Sequence, residues 1–309
     1  MGKRLYDHHI AVDWSANASP KRGKDSIWIS ENGASGENPA TRAEAMEWVR
    51  ARIDRARSAR ERLHFGFDFA FGLTRGAGEA LLGAPGWKAW WHYLAAHIED
   101  GPRNANNRFA AAARLNAQTD VEGPFWGHPH QRSFSDLRPT RCARGADWPH
   151  PFPARRVCDT RVPGAQEIWK LAYTGSVGSQ MLLGIAALHG LRESRPEVAI
   201  WPFETNFARA LDAPILVTEI YPSASLWNYS RWLDTSRTVD EAQVRAVSET
   251  CACLDAAGAF EPLLDFTGTC EERDAAIREE GWILGVDAGV DAGLKLGLDA
   301  DLNAGLSRD

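Results

Sequence analysis

The stretch "LHFGFDFAFGL", residues 63–73, decides how the chain is read. Its apolar, aromatic character over 63–69 predicts a buried strand. Gly66 and Gly72 allow a close approach or a turn. Asp68 stands in the middle, where an unpaired charge is costly. That carboxylate needs a reason to be there.

Two other strand-like runs pose the same problem. "IAVDWSA" (10–16) carries Asp13 and "LVTEIYPS" (216–223) carries Glu219. Each acid lies near the C-terminal end of an apolar run. In a parallel or mixed sheet such positions fall side by side, at the crevice beyond the strand ends where ligands of open α/β sheets bind. Three carboxylates together repel one another, and a hard divalent cation, Mg2+ or Mn2+, relieves the repulsion. Two such ions activate a water and stabilise the leaving oxygen of a phosphodiester. Each acid also has a purely structural reading. Asp13 can accept hydrogen bonds in the turn "DWSAN", Asp68 can pair with a buried arginine or backbone N–H groups, and Glu219 can form a salt bridge at a strand end.

Working outward, the N-terminal half predicts a hairpin followed by helices. "HHIAVDWSA" (8–16) and "SIWIS" (26–30) read as two strands joined by a turn that holds Lys21, Arg22 and Lys24. Those three cations are a solvated turn or a phosphate contact beside the acids. Residues 41–62 read as a helix, with Thr41 and Glu44 at capping-box spacing. Its seven arginines, interleaved with acids, fit a solvated face better than a phosphate-binding one. "GWKAWWHYLAAHIED" (86–100) is helical in pattern.

Residues 100–164 are loop-rich, with Pro, Gly, His and Trp mixed together, and read as an irregular insertion or lid. His128, His130 and His150 lie within it without the tight spacing of a zinc site. Residues 164–194 read as helix around a "TGSVGS" break (174–179). That break has neither phosphate-loop fingerprint, so it reads as a turn before a buried helix. Strands are expected at 197–203, 213–223 and 281–286, a helix start at 226–229, and helices at about 240–257 and 269–280. On a helical wheel the 240–257 segment buries Val244, Val247, Cys251 and Leu254. Asp240 and Asp255 fall near that side, and Glu249 points away.

A hairpin followed by alternating helices and strands predicts one α/β domain over 1–286, with a mixed sheet flanked by helices and an insertion at about 100–164. The Asp-, Ala- and Gly-rich tail, 287–309, reads as flexible. The 309 residues carry 35 Lys and Arg against 41 Asp and Glu, a formal charge of −6, which argues against a general DNA-coating surface and leaves room for local basic patches. No apolar run approaches a membrane span or a signal core, so a cytoplasmic location is expected. Five scattered cysteines do not suggest a disulfide framework, and the Cys251–Cys253 pair lacks a second pair at zinc-site spacing.

"AVDWSA", "FGFDFAFGL", "VTEIYPS" and "EEGWIL" together resemble the DUF429 family, uncharacterised bacterial proteins of the ribonuclease H-like superfamily. "TGSVGSQMLLGI" and "IWPFET" resemble a branch of it, and the likeness spans most of residues 8–286. The resemblance implies a ribonuclease H-like fold and a carboxylate-held metal site. An early strand Asp, a second and a third strand acid match Asp13, Asp68 and Glu219. A fourth acid, at the start of the last helix, matches Asp240. Family members place an Asp deeper in that helix, where this chain reads "RAVSETCAC" (245–253).

Three functions remain open. The first is a metal-dependent nuclease acting on RNA, DNA or a hybrid, with Asp13, Asp68, Glu219 and Asp240 holding Mg2+ or Mn2+. The second is a nucleotide or phosphorylated small-molecule enzyme or binding protein on the same fold. The third is a non-catalytic scaffold in which the acids are structural.

Overall fold

The aromatic run forms the centre of a five-stranded sheet. The structure is a computed structural model that describes residues 3–141, 148–208 and 213–288. Its strands are β1 (His8–Asp13), β2 (Trp28–Glu31), β3 (Leu63–Phe67), β4 (Val198–Ile200) and β5 (Ile215–Glu219), in the order β2-β1-β3-β5-β4. β2 is antiparallel to β1, so the expected hairpin forms, and the other three pairings are parallel. The architecture is mixed α/β, as the alternation of segments predicts. β3 has a strand on each side and helices on both faces, which is why its sequence is an unbroken buried run.

In chain order the helices are α1 (Arg42–Ala59), α2 (Ala77–Leu82), α3 (Trp87–His97), α4 (Arg108–Asn116), α5 (Val157–Arg161), α6 (Val177–Ser194), α7 (Val239–Ala256) and α8 (Cys270–Ala275). Val12, Phe65, Phe67 and Val217 pack on one face of the sheet against α1 and α6. Ala11, Leu216 and Ile220 pack on the other, against Val244, Val247, Cys251 and Leu254 of α7, the side that the helical wheel selects. Burial of each such aliphatic or aromatic side chain contributes about 1.5–3 kcal/mol. Gly66 faces α7, and a Cβ there would lie 2.6 Å from Ile220 Cγ2. At Gly72 it would lie 2.0 Å from the Glu279 carbonyl oxygen. Both glycines of the opening stretch are therefore required by close packing.

Several boundaries differ from the sequence reading. α1 stops at Ala59, where Arg60 turns left-handed at φ 60° and its N–H reaches back to close the helix. Its N-terminus is capped as expected: Thr41 accepts the Glu44 N–H, and the Glu44 carboxylate accepts the N–H of Ala40. The insertion is less irregular than its composition implies, since it holds α4 and α5. Helix occupies only 177–194 of the 164–194 segment. The strand at 197–203 shrinks to three residues, because the chain turns from Trp201 onward. Residues 225–235 form 3-10 turns, and 281–286 contributes a single bridge, Ile283 to Glu219, in place of a strand. Asp287 is docked, accepting from Arg161 and the Thr267 N–H; the rest of the expected flexible tail, 289–309, lies outside the described residues.

The arginines of α1 do not form a free stripe. Arg42 is buried against Asp100, Arg52 pairs with Glu31 and Glu61, and Arg57 pairs with Glu197. Among the described residues no helix is long and apolar enough to cross a membrane.

Candidate functional site

Register decides which of the predicted acids meet. Val12 of β1, Phe67 of β3 and Glu219 of β5 lie side by side across the sheet. Asp13 and Asp68 lie one step further on, with the Asp68 N–H donating to the Val12 carbonyl at 2.9 Å. Side chains alternate between faces along a strand. Glu219 therefore shares a face with Val12 and Phe67, while Asp13 and Asp68 turn toward the α7 side. Asp240, in the first turn of α7, is on that side.

Asp13 and Asp68 end adjacent parallel strands on one face, and burial with neighbouring charge raises the cost of ionising each. Burial, then the neighbouring Asp68 and Asp240 charges, holds the Asp13 carboxyl well above the usual range. Burial and then the Glu219 charge push Asp68 up to about 7, with Asp240 adding to the rise and the Asp13 hydrogen bond opposing it. Asp240 is raised by burial and accepts the Asp25 N–H at 2.7 Å; Lys21 and Lys24 pull it back. Of the three cations in the first turn, Lys21 and Lys24 thus border the acids. Arg22 turns to the Asn38 carbonyl and Glu44.

Glu219 is held differently. Arg156, which no sequence feature singled out, donates to both its oxygens at 2.6 and 2.7 Å. The same guanidinium donates to both oxygens of Asp159 and to the Glu280 carbonyl, so all five of its N–H groups are placed. Glu219 also accepts the Phe71 N–H at 3.0 Å. Burial raises its carboxyl, and Arg156 draws it back. The one sequence signal for this brace is the three-residue spacing of Arg156 and Asp159 at the start of α5.

Two adjoining clefts open at this edge of the sheet. One, of about 740 Å³, is bordered by Asp13, Asp240, Asp25, Arg108 and Gln180. The other, of about 360 Å³, is bordered by Asp68, Glu219, Arg156 and Tyr221. Thr174, Gly175 and Gln180 border both. The "TGSVGS" segment thus lines the site, but the N–H groups of Val177, Gly178 and Ser179 already donate to Gly175, Lys170 and Ser176. It is a turn before a buried helix, not an anion cradle. Arg108, also missed at the sequence level, donates to Ser179 Oγ and Asn106 Oδ1 and has no ion pair among the described residues. Burial, then the charges of Arg42 and Arg132, lowers its pKa to about 10. An anion on the cleft side would relieve that crowding.

A second cluster lies at the other end of the same face. His9, His64 and Cys251 are buried, and their donor atoms all lie within 4.8 Å of one another, a geometry compatible with metal coordination. Among the described residues this is the tight group of metal-ligand donors. The four predicted acids do not form one of that kind.

The buried acids set a pH dependence. Unfolded carboxyls release their protons near pH 4. In the folded metal-free protein Asp68 keeps its proton up to about pH 7, and Asp13 too is held well above the usual carboxylate range. The folded state therefore holds more protons across this interval, and the pair's contribution to stability falls as pH rises from 4 through 7. His9 and His64, buried and lowered, act in the opposite sense up to about pH 6.5. The pair is thus read by difference. In EDTA, Asp68→Asn is expected to match wild type in Tm near pH 4.5 and to exceed it increasingly by pH 8; equal Tm values at pH 8 would refute the strained pair.

Comparison of the chain with family models, curated proteins and solved structures finds no match.

Proposed function

We propose that the chain is a divalent-cation-dependent phosphodiesterase of ribonuclease H-like design, acting at the carboxyl edge of β1, β3 and β5. One observation carries this: Asp13 and Asp68 end adjacent parallel strands on one face at a half-buried crevice, where burial and neighbouring charge resist ionisation of both. Hard carboxylate oxygens forced together without a cation of their own are the donor set that Mg2+ or Mn2+ takes. The quoted sequence motifs support the same reading.

A divalent cation bound there supplies a water of lowered pKa and positive charge for the leaving oxygen. Asp13 and Asp68 would hold it in their ionised forms, with Asp240 completing or orienting the set. Arg108, which borders the larger cleft, takes a phosphate oxygen, and Lys21 and Lys24 bring positive charge near Asp240. Such contacts position a phosphate without reading sequence. Arg156 pairs with Glu219 beside Asp68, so Glu219 fixes the strand ends and is not a free ligand, while its charge still adds to the rise at Asp68.

A second substrate class is favoured by the insertion. Arg108, Phe109, Pro129 and His130 wall the larger cleft, which suits a phosphorylated small molecule better than a duplex. The discriminating experiment incubates the protein with Mn2+ or Mg2+ at pH 8. Its arms are single-stranded RNA, single-stranded DNA, an RNA–DNA hybrid, and a set of nucleotides and sugar phosphates. Metal-dependent hydrolysis in one arm is expected, and silence in every arm rejects the enzyme.

A further inference from the structure

We infer that His9, His64 and Cys251 form a second, separate metal site, selective for a thiophilic ion, Zn2+ or Cu+. His9, His64, Asp13 and Asp68 all point to the α7 face, the two histidines from the amino ends of β1 and β3. Four residues of strand separate His9 from Asp13, about 13 Å at 3.3 Å per residue. The site is therefore distinct from the carboxylate crevice.

The histidines are arranged as metal ligands are. Their Nδ1 atoms face each other at 3.1 Å. Two imidazole nitrogens each about 2.0–2.1 Å from one tetrahedral ion lie about 3.3 Å apart, so little movement is needed to admit one. The opposite nitrogen of each ring is already fixed. His9 Nε2 is 3.0 Å from Asp255 Oδ2, and His64 Nε2 is 2.9 Å from Thr218 Oγ1. Ligand histidines are characteristically oriented in this way by a carboxylate or another polar group at the second ring nitrogen. Asp255 is itself fixed by the N–H groups of Leu5 and Tyr6. Cys251 supplies a buried sulfur from α7 that forms no disulfide. Two imidazoles and a thiolate select Zn2+ or Cu+ over Mg2+ or Mn2+.

The protons balance. Without metal, His9 donates from Nε2 to Asp255, and its Nδ1 accepts the Nδ1–H of His64. The Thr218 hydroxyl donates to His64 Nε2. On binding, His64 moves its proton from Nδ1 to Nε2 and donates it to Thr218 Oγ1, whose hydrogen turns to the Phe65 carbonyl at 3.5 Å. Both Nδ1 lone pairs then face the ion. Cys251 loses its thiol proton to solvent, so one proton is released per ion bound.

The test uses the full chain with Cys142, Cys253 and Cys270 replaced by serine, refolded with Co2+ as a spectroscopic probe and, separately, with Zn2+ or Cu+. One ion per chain that is held through Cys251, marked by a thiolate-to-cobalt charge-transfer band in the near ultraviolet, is expected. Cys251→Ala, with helix content checked by circular dichroism, is expected to lose the band and at least about 100-fold in Zn2+ affinity. Thr218→Val, which keeps all three ligands, is expected to lose about 10–100-fold. A folded protein with no band, or a band that survives Cys251→Ala, overturns the site. Should Cys251→Ala not fold, the parent protein's band and the Thr218→Val affinity decide. Mn2+ binding at the carboxylates is untouched by either result.

Discussion

Asp68→Asn is expected to cut metal-dependent hydrolysis by about 10²–10³-fold and, at the same time, to stabilise the metal-free protein at pH 8. The two effects have one cause. The crevice holds Asp68 beside Asp13, Glu219 and Asp240, so its charge is resisted in the fold and needed only when a cation arrives. An Asn keeps the shape while deleting the charge. Loss of one preorganised electrostatic contact reduces turnover by about 10²–10³-fold. A rise from 3.8 to about 7 sets a ceiling of about 4 kcal/mol on the gain in stability, since each unit is about 1.4 kcal/mol. Thermal unfolding in EDTA and turnover in Mn2+ measure the two. If the acids were only structural, the substitution would lower Tm and leave no metal-dependent rate to lose.

Arg156→Met is expected to be the most damaging single substitution in the region. The side chain is buried, and it is the counter-charge for both Glu219 and Asp159. Removing one partner of a buried ion pair leaves the other uncompensated and costs about 3–5 kcal/mol. The loss is structural as well as electrostatic, because Arg156 ties β5 to α5 and to the Glu280 carbonyl. Denaturant unfolding should show a midpoint shift of that size. The double variant Arg156→Met, Glu219→Gln should recover part of it by removing one stranded charge. An unchanged midpoint in the single variant would mean that the network is not a brace.

Much of this was legible in the chain. The apolar runs located β1, β3 and β5, the Thr41 cap located the start of α1, and the wheel found the buried side of α7. The opening stretch also announced that Asp68 had somewhere polar to face. What sequence could not supply was register. A shift of one residue moves a side chain to the other face of a sheet, and that is the difference between Glu219 and the pair Asp13–Asp68. Nor could it supply partners distant in the chain, such as Arg156 for Glu219, or Asp255 for His9, 246 residues apart. The helical wheel put Cys251 and Asp255 on or near the buried side, but only the fold brings them to two histidines on neighbouring strands. Composition misled over 100–164, where proline and glycine concealed two short helices and Arg108.

The most direct test of the carboxylate site is Mn2+ titration of the folded protein at pH 8, followed by calorimetry and electron paramagnetic resonance. Mn2+ prefers oxygen donors, so the His9–His64–Cys251 cluster does not compete for it. Saturable binding that releases protons, and that is lost in Asp13→Asn, Asp68→Asn, is the predicted result. A folded wild-type protein that binds no Mn2+, or binding that survives loss of both aspartates, would contradict it.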